Sequence, residues 1–146
     1  MDSLRIEKAF RHFGHDITDE DHVLEAGLGF AVKPDAGDFI GRDAVLAKQQ
    51  AGLDRRMVQF RLTDPAPLLF HNEAVVRDGQ IVSIVTSGNY GHYLGGAIGM
   101  GYVPCAGQSA AEVLASTYEI EIAGQRFAAE ASLKPMYDPT SARVRA

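Results

Sequence analysis

The chain has 146 residues, 46% of them hydrophobic and 23% charged, with a formal net charge of −5. That balance belongs to a folded globular protein rather than a disordered one, and no apolar run approaches the roughly 18 residues of a membrane span. The basic spots, Arg55-Arg56 and Arg143 with Arg145, form no stripe, which disfavours a nucleic-acid partner, and the single Cys105 excludes an internal disulfide or a cysteine-rich zinc site.

The opening MDSLRIEKAFRHFG carries charges every few positions and does not read as a signal peptide. With the lone cysteine, this fits a reducing, cytoplasmic setting. Leu4, Ile6, Ala9, Phe10 and Phe13 recur at helical spacing, which predicts a helix over residues 1–14 with Gly14 as its stop. The connector 15–22 holds four acids in eight residues and reads as solvated surface. His12, His15 and His22 lie near Asp16 and Asp19, but two of the imidazoles straddle the expected helix end. Surface histidines are the better reading than a metal site.

Residues 30–32, Phe-Ala-Val, predict a short strand, residues 34–37 a turn, and residues 41–50 a helix ended by Ala51-Gly52. From residue 53 the texture changes to short β-rich runs. Residues 56–62 alternate apolar and polar. Asp78-Gly79 joins two β-rich runs, the strongest short-range hairpin signal. Further strands are expected over 97–103, 118–122 and 126–133, with Ala123-Gly124 as a turn. The glycine-rich stretch 88–96 lacks the spacing of a phosphate cradle and reads as a wide loop, with Tyr90 and Tyr93 over a barrel end. Val76, Ile81 and Val85 are candidate interior residues. The fold expected is α+β to mainly β, with about six strands over 53–135 in a small antiparallel barrel. Cys105 reads as a small residue at a strand end, because no neighbouring base activates it. No nucleophile elbow is present either; Ser87 stands in Thr-Ser-Gly.

Three stretches carry a resemblance: Leu4-Arg-Ile-Glu-Lys8 with Gly14-His-Asp-Ile17; Leu24-Glu-Ala-Gly-Leu-Gly-Phe-Ala-Val-Lys33 with Asp38-Phe-Ile-Gly-Arg-Asp43; and Val85-Thr-Ser-Gly-Asn-Tyr-Gly91 with Gly101-Tyr-Val-Pro104. Their order and spacing resemble the C-terminal part of the glycine cleavage T-protein (aminomethyltransferase) family. Lys8-Ala-Phe-Arg11 and Asp38-Phe-Ile-Gly-Arg42 look more like its dimethylglycine and sarcosine dehydrogenase branch.

The resemblance implies two parts. Residues 1–50 would be the end of a folate-binding domain, and residues 51–146 a C-terminal antiparallel barrel. It implies tetrahydrofolate as cofactor, an N-methylated amino acid as substrate, and FAD only in an upstream region. The family's catalytic aspartate and most of its folate pocket would also lie upstream, so no catalytic residue is expected among these 146, and the chain alone is expected to be inactive. Phe30 falls where the T-protein commonly has a folate-contacting tryptophan. It keeps an aromatic face for stacking but lacks the indole N–H donor. The family's folate-binding arginine before Asp-Ser-Leu-Arg is replaced here by Met1.

No metal is needed for such chemistry; positioning and a nearby carboxylate suffice. A non-enzymatic folate- or protein-binding module of the same fold is the alternative. The short cysteine motif of iron–sulfur relatives is absent. Apolar surface on residues 1–33, Phe10 and Phe30 above all, is expected to support self-association.

Overall fold

A computed structural model describes residues 1–143 and 145. Six strands form a closed barrel: β1 (Arg55–Leu62), β2 (Ala74–Arg77), β3 (Gln80–Gly91), β4 (Gly96–Pro104), β5 (Tyr118–Ile122) and β6 (Gln125–Ser132). Their order around the barrel is β1-β4-β3-β2-β5-β6, every pairing antiparallel, with β6 closing on β1. Closure removes the exposed edges that a small open sheet would leave. Helix α1 (Asp2–Glu7) precedes the barrel. Two short 3₁₀ turns, Gly29–Ala31 and Pro34–Ala36, and helix α2 (Arg42–Ala51) follow it. No helix is long and apolar enough to cross a membrane among the described residues.

Two hairpin turns are built as their sequences demand. Asp78 and Gly79 have φ of 50° and 83°, and Ala123 and Gly124 have 49° and 79°. Paired positive φ values match the right-handed twist of the flanking strands. Inward positions of β1, Val58, Phe60 and Leu62, join Val75, Val85, Val103, Val113 and Ile120 in the barrel core. Val76 and Val85 are buried as expected, but Ile81 is 58% exposed. The register shifts between Val75 and Val76, so Val76 pairs with Ile81, next to the turn, and Ile81 faces solvent.

Helix α3 (Ala110–Ala115) interrupts the stretch 53–135, for which about six strands and no helix are expected. Its signal was local: the Ser109 side chain accepts from the Glu112 backbone N–H, and Glu112 accepts from the Ser109 backbone N–H, a capping box. The run 88–96 is not a wide loop. β3 continues to Gly91 and pairs with β4 through Gly88↔Gly99 and Gly91↔Gly96. These glycines are strand positions under close cover. A Cβ on Gly88 would lie 2.7 Å from the Phe70 carbonyl oxygen, and one on Gly99 would lie 2.7 Å from Leu69 Cδ2.

The N-terminal segment packs on the barrel's outer face. Ile6 and Ala9 join Met57, Ile98 and Met100 in a second buried cluster. Helix α1 stops at Glu7, well short of residue 14. Ala9 takes φ 53°, its N–H donates to Ile6 O, and Phe10 N–H donates to Arg5 O. This is a Schellman ending with alanine where glycine is usual. The turn seats Ala9 against the barrel and leaves Phe10 and Phe13 exposed at 61% and 69%.

Candidate functional site

Buried polar contacts fix the N-terminal segment in place. The Gln59 side-chain amide, on β1, donates to Ile6 O at 2.6 Å and to Glu7 O at 3.3 Å, and its carbonyl accepts from Met136 N at 2.8 Å. One buried side chain thus ties α1 and the C-terminal tail to the same strand. Glu7 Oε1 accepts from the Tyr93 and Leu94 backbone N–H groups, holding the turn between β3 and β4. Lys8 reaches the tail at Asp138 and Ser141.

The acidic connector is only partly solvated. Asp19 and Glu20 are exposed, but Asp16 is 1% exposed. Its Oδ2 accepts from Arg5 Nη1 and from the His12 N–H, each at 2.8 Å, and its Oδ1 accepts from the Thr86 hydroxyl. A carboxylate can be buried here because a charged donor and two further donors replace its water. Asp21 and Glu25 bind Arg55, and Glu25 also binds Lys48. Burial works to raise the Glu25 carboxyl, but hydrogen bonds from Lys48 and Arg55 outweigh it and hold the group below its ordinary value.

Among the described residues these clamps leave a groove of about 1070 Å³ between residues 8–11, residues 27–30 and the tail residues Leu133–Pro135, Pro139–Ser141 and Arg145. Phe10 and Phe30 line it, with Arg11, Lys134 and Arg145 as its cations beside Lys8. Phe30 sits in a 3₁₀ turn, not the expected strand, because Ala31 N–H donates to Leu28 O and Val32 N–H to Gly29 O. Its ring is 80% exposed. The Arg11 guanidinium is partly buried, and burial depresses its pKa although Asp16 opposes that shift. It donates to the carbonyls of Ala26 and Ala9 and so serves as a wall more than as a free cation.

Of this site, the sequence singled out Phe10 and Phe30. The contribution of Lys134 and Arg145 had no local signal, because they come from a tail more than a hundred residues away. Tyr93 stacks edge-on against Tyr137, with Arg143 over its ring, rather than closing the barrel end. Cys105 is 1% exposed, and burial raises its thiol pKa, which is the state of an inert thiol. The His12 and His15 rings stack at 4.6 Å. Among the described residues no three His, Cys, Asp or Glu side chains converge as metal ligands.

A sequence model of the glycine cleavage T-protein C-terminal barrel domain matches residues 55–138, more than half of the chain. The chain belongs to the glycine cleavage T-protein family. Among curated relatives, the 4-methylaminobutanoate oxidase (formaldehyde-forming) of Paenarthrobacter nicotinovorans is 40% identical over 99% of this chain and 17% of its own length. Human mitochondrial sarcosine dehydrogenase is 38% identical over 99% of this chain and 16% of its own. The crystal structure of aminomethyltransferase T of the glycine cleavage system from Bartonella henselae superposes with a TM-score of 0.78 at 27% identity. It covers 94% of this chain and 38% of that one.

The T-protein barrel is therefore present with the segment that precedes it, and the chain spans about a sixth of the length of these two oxidising relatives. Similarity to them runs through residues 1–54 as well as the barrel, since each match covers 99% of the chain.

Proposed function

We propose that this chain forms the C-terminal region of a tetrahydrofolate-dependent enzyme that oxidises an N-methylated glycine or a similar amine and passes the one-carbon unit to folate. The match to an oxidase and a dehydrogenase of N-methylated amines across 99% of the chain supports the oxidation, and membership of the glycine cleavage T-protein family supports the transfer. In this reading residues 1–50 end the folate-binding domain and residues 51–146 form the barrel. The flavin and the reacting carboxylate belong to regions outside these 146 residues, and the reduced, buried Cys105 suits a cytoplasmic setting.

The groove supports the folate reading. A pterin needs an aromatic face, and the folate glutamate needs cations. Phe30 offers the first, and Lys134 and Arg145 offer the second. The groove is open, as one wall of a shared pocket would be. Bound tetrahydrofolate would supply the nucleophilic nitrogen that takes up the one-carbon unit. The chain's part is to seat the ring against Phe30 and to exclude water along that side.

Calorimetric titration with 5-formyl-tetrahydrofolate tests this. Saturable binding that Phe30→Ala weakens, with no oxidation of sarcosine by the chain alone, is the expected result. Absence of folate binding, or unchanged binding in the variant, removes Phe30 from the pocket. Turnover by the chain alone overturns the placement of the chemistry elsewhere.

A further inference from the structure

At the opposite side of β1 from the groove stands an arginine that no acid among the described residues neutralises. Arg56 shares the inward-facing side of β1 with Val58, Phe60 and Leu62, and it is the one closest to the barrel mouth. It pairs in register with Val103, where β4 is about to end. Its Nε is buried without a hydrogen-bond acceptor; its guanidinium lies beside the Cys105 thiol, and among the described residues it forms no ion pair with a carboxylate. The contrast with its neighbour is sharp: Arg55 is held by both Asp21 and Glu25. Glu25, a buried acid, is already engaged by Arg55 and Lys48.

Arg56 opens into a cleft of about 540 Å³ at the barrel mouth, between the end of α2 and the loop leading to α3. The polar side chains lining the cleft with it are Gln49, Gln108 and Ser109, all uncharged. Ser109 spends its hydroxyl on Glu112. The two glutamine amides therefore remain as donors beside a cation. A half-buried guanidinium with an unfilled donor is costly unless an acceptor reaches it. Barrel mouths are a common place for small-ligand sites, and the volume suits a small molecule.

We infer that the cleft binds a small oxyanion, a carboxylate or a phosphate group, on the Arg56 guanidinium with the Gln49 and Gln108 amides as flanking donors. This site is separate from the proposed folate groove: the two share no lining residue.

The test is nuclear magnetic resonance on the ¹⁵N-labelled chain at constant ionic strength, following the Arg56 Nε–H signal. Inorganic phosphate and acetate are titrated separately, with chloride as the balancing salt. The expected result is a saturating shift with at least one of them. Arg56→Gln should weaken binding by about tenfold or more, as loss of a charged hydrogen-bond donor implies. Gln108→Ala, on an exposed loop, should weaken it less and leaves β1 intact if Arg56→Gln fails to fold. Saturation with phosphate alone assigns a phosphate-bearing ligand, and with acetate alone a carboxylate. Shifts that never saturate, or affinity unchanged in both variants, overturn the site.

Discussion

Arg5 and Asp16 form a buried ion pair at 2.8 Å, with the Asp16 side chain fully shielded from solvent and the Arg5 side chain 17% exposed. The pair bridges α1 and the connector, and both partners extend to β3: Arg5 donates to Ser87 Oγ, and Asp16 accepts from Thr86. With the Gln59 and Glu7 contacts it holds residues 1–17 on the barrel. Asp16→Ala leaves Arg5 and two other donors without their acceptor. The expected loss is about 3–5 kcal/mol, against a smaller loss for Asp16→Asn. Urea unfolding of both variants measures it.

Glu25 sets an acid limit. Its carboxyl is held below its ordinary value in the folded chain, so the unfolded chain binds a proton more readily. The stability it contributes is complete above the unfolded value near 4.3 and is lost as pH falls through the lower folded one. Thermal melts should show a decline in this acidic window that Glu25→Gln makes shallower. An equal slope in the variant would assign the decline to other carboxylates.

Gly101 is buried in β4, and a Cβ there would lie 2.7 Å from the Ile84 carbonyl oxygen. The obstacle is backbone, which cannot swing aside. Gly101→Ala should therefore cost about 1–3 kcal/mol by overpacking, read as a lower denaturant midpoint with an unchanged slope. Gly107→Ala is a useful contrast: it meets nothing within 4 Å, but it sits at φ 72°, so its cost is conformational alone and should be about 1 kcal/mol.

Phe10, Phe13 and Phe30 are 61%, 69% and 80% exposed. Phe10 and Phe30 line one groove, and exposed apolar side chains of this size tend to find a partner. We expect the chain to self-associate through residues 1–33 when it is made alone, and light scattering should show a mass above that of the monomer. Phe10→Asp should shift the distribution toward monomer. Added 5-formyl-tetrahydrofolate should do the same, because Phe10 and Phe30 both line the proposed folate groove. A monomeric wild type would mean that this face needs no cover.

What was legible in the sequence was what local physics decides. Asp78-Gly79 could only be a tight hairpin turn, because Asp and Gly tolerate the positive φ that the strand twist requires. The alternation in Tyr118–Ile122 gave a half-buried strand for the same reason of local geometry. Motif order along the chain revealed the family, and Phe30 was marked by its place in that order.

The rest depended on contacts between distant residues. Nothing local ends α1 at Glu7, since the stop is an alanine forced into left-handed geometry so that its methyl can lie on β1 and β4. Gly88 and Gly91 look like loop residues until the Phe70 carbonyl is found against the first and the Ile98 and Glu7 side chains against the second. Asp16 looks solvated until Arg5 and Thr86 arrive from other elements to replace its water. The charge of an arginine is in the sequence, but whether an acid meets it is not: Arg55 and Arg56 are adjacent and identical, and strand pleat alone sends one to Glu25 and the other to an open barrel mouth.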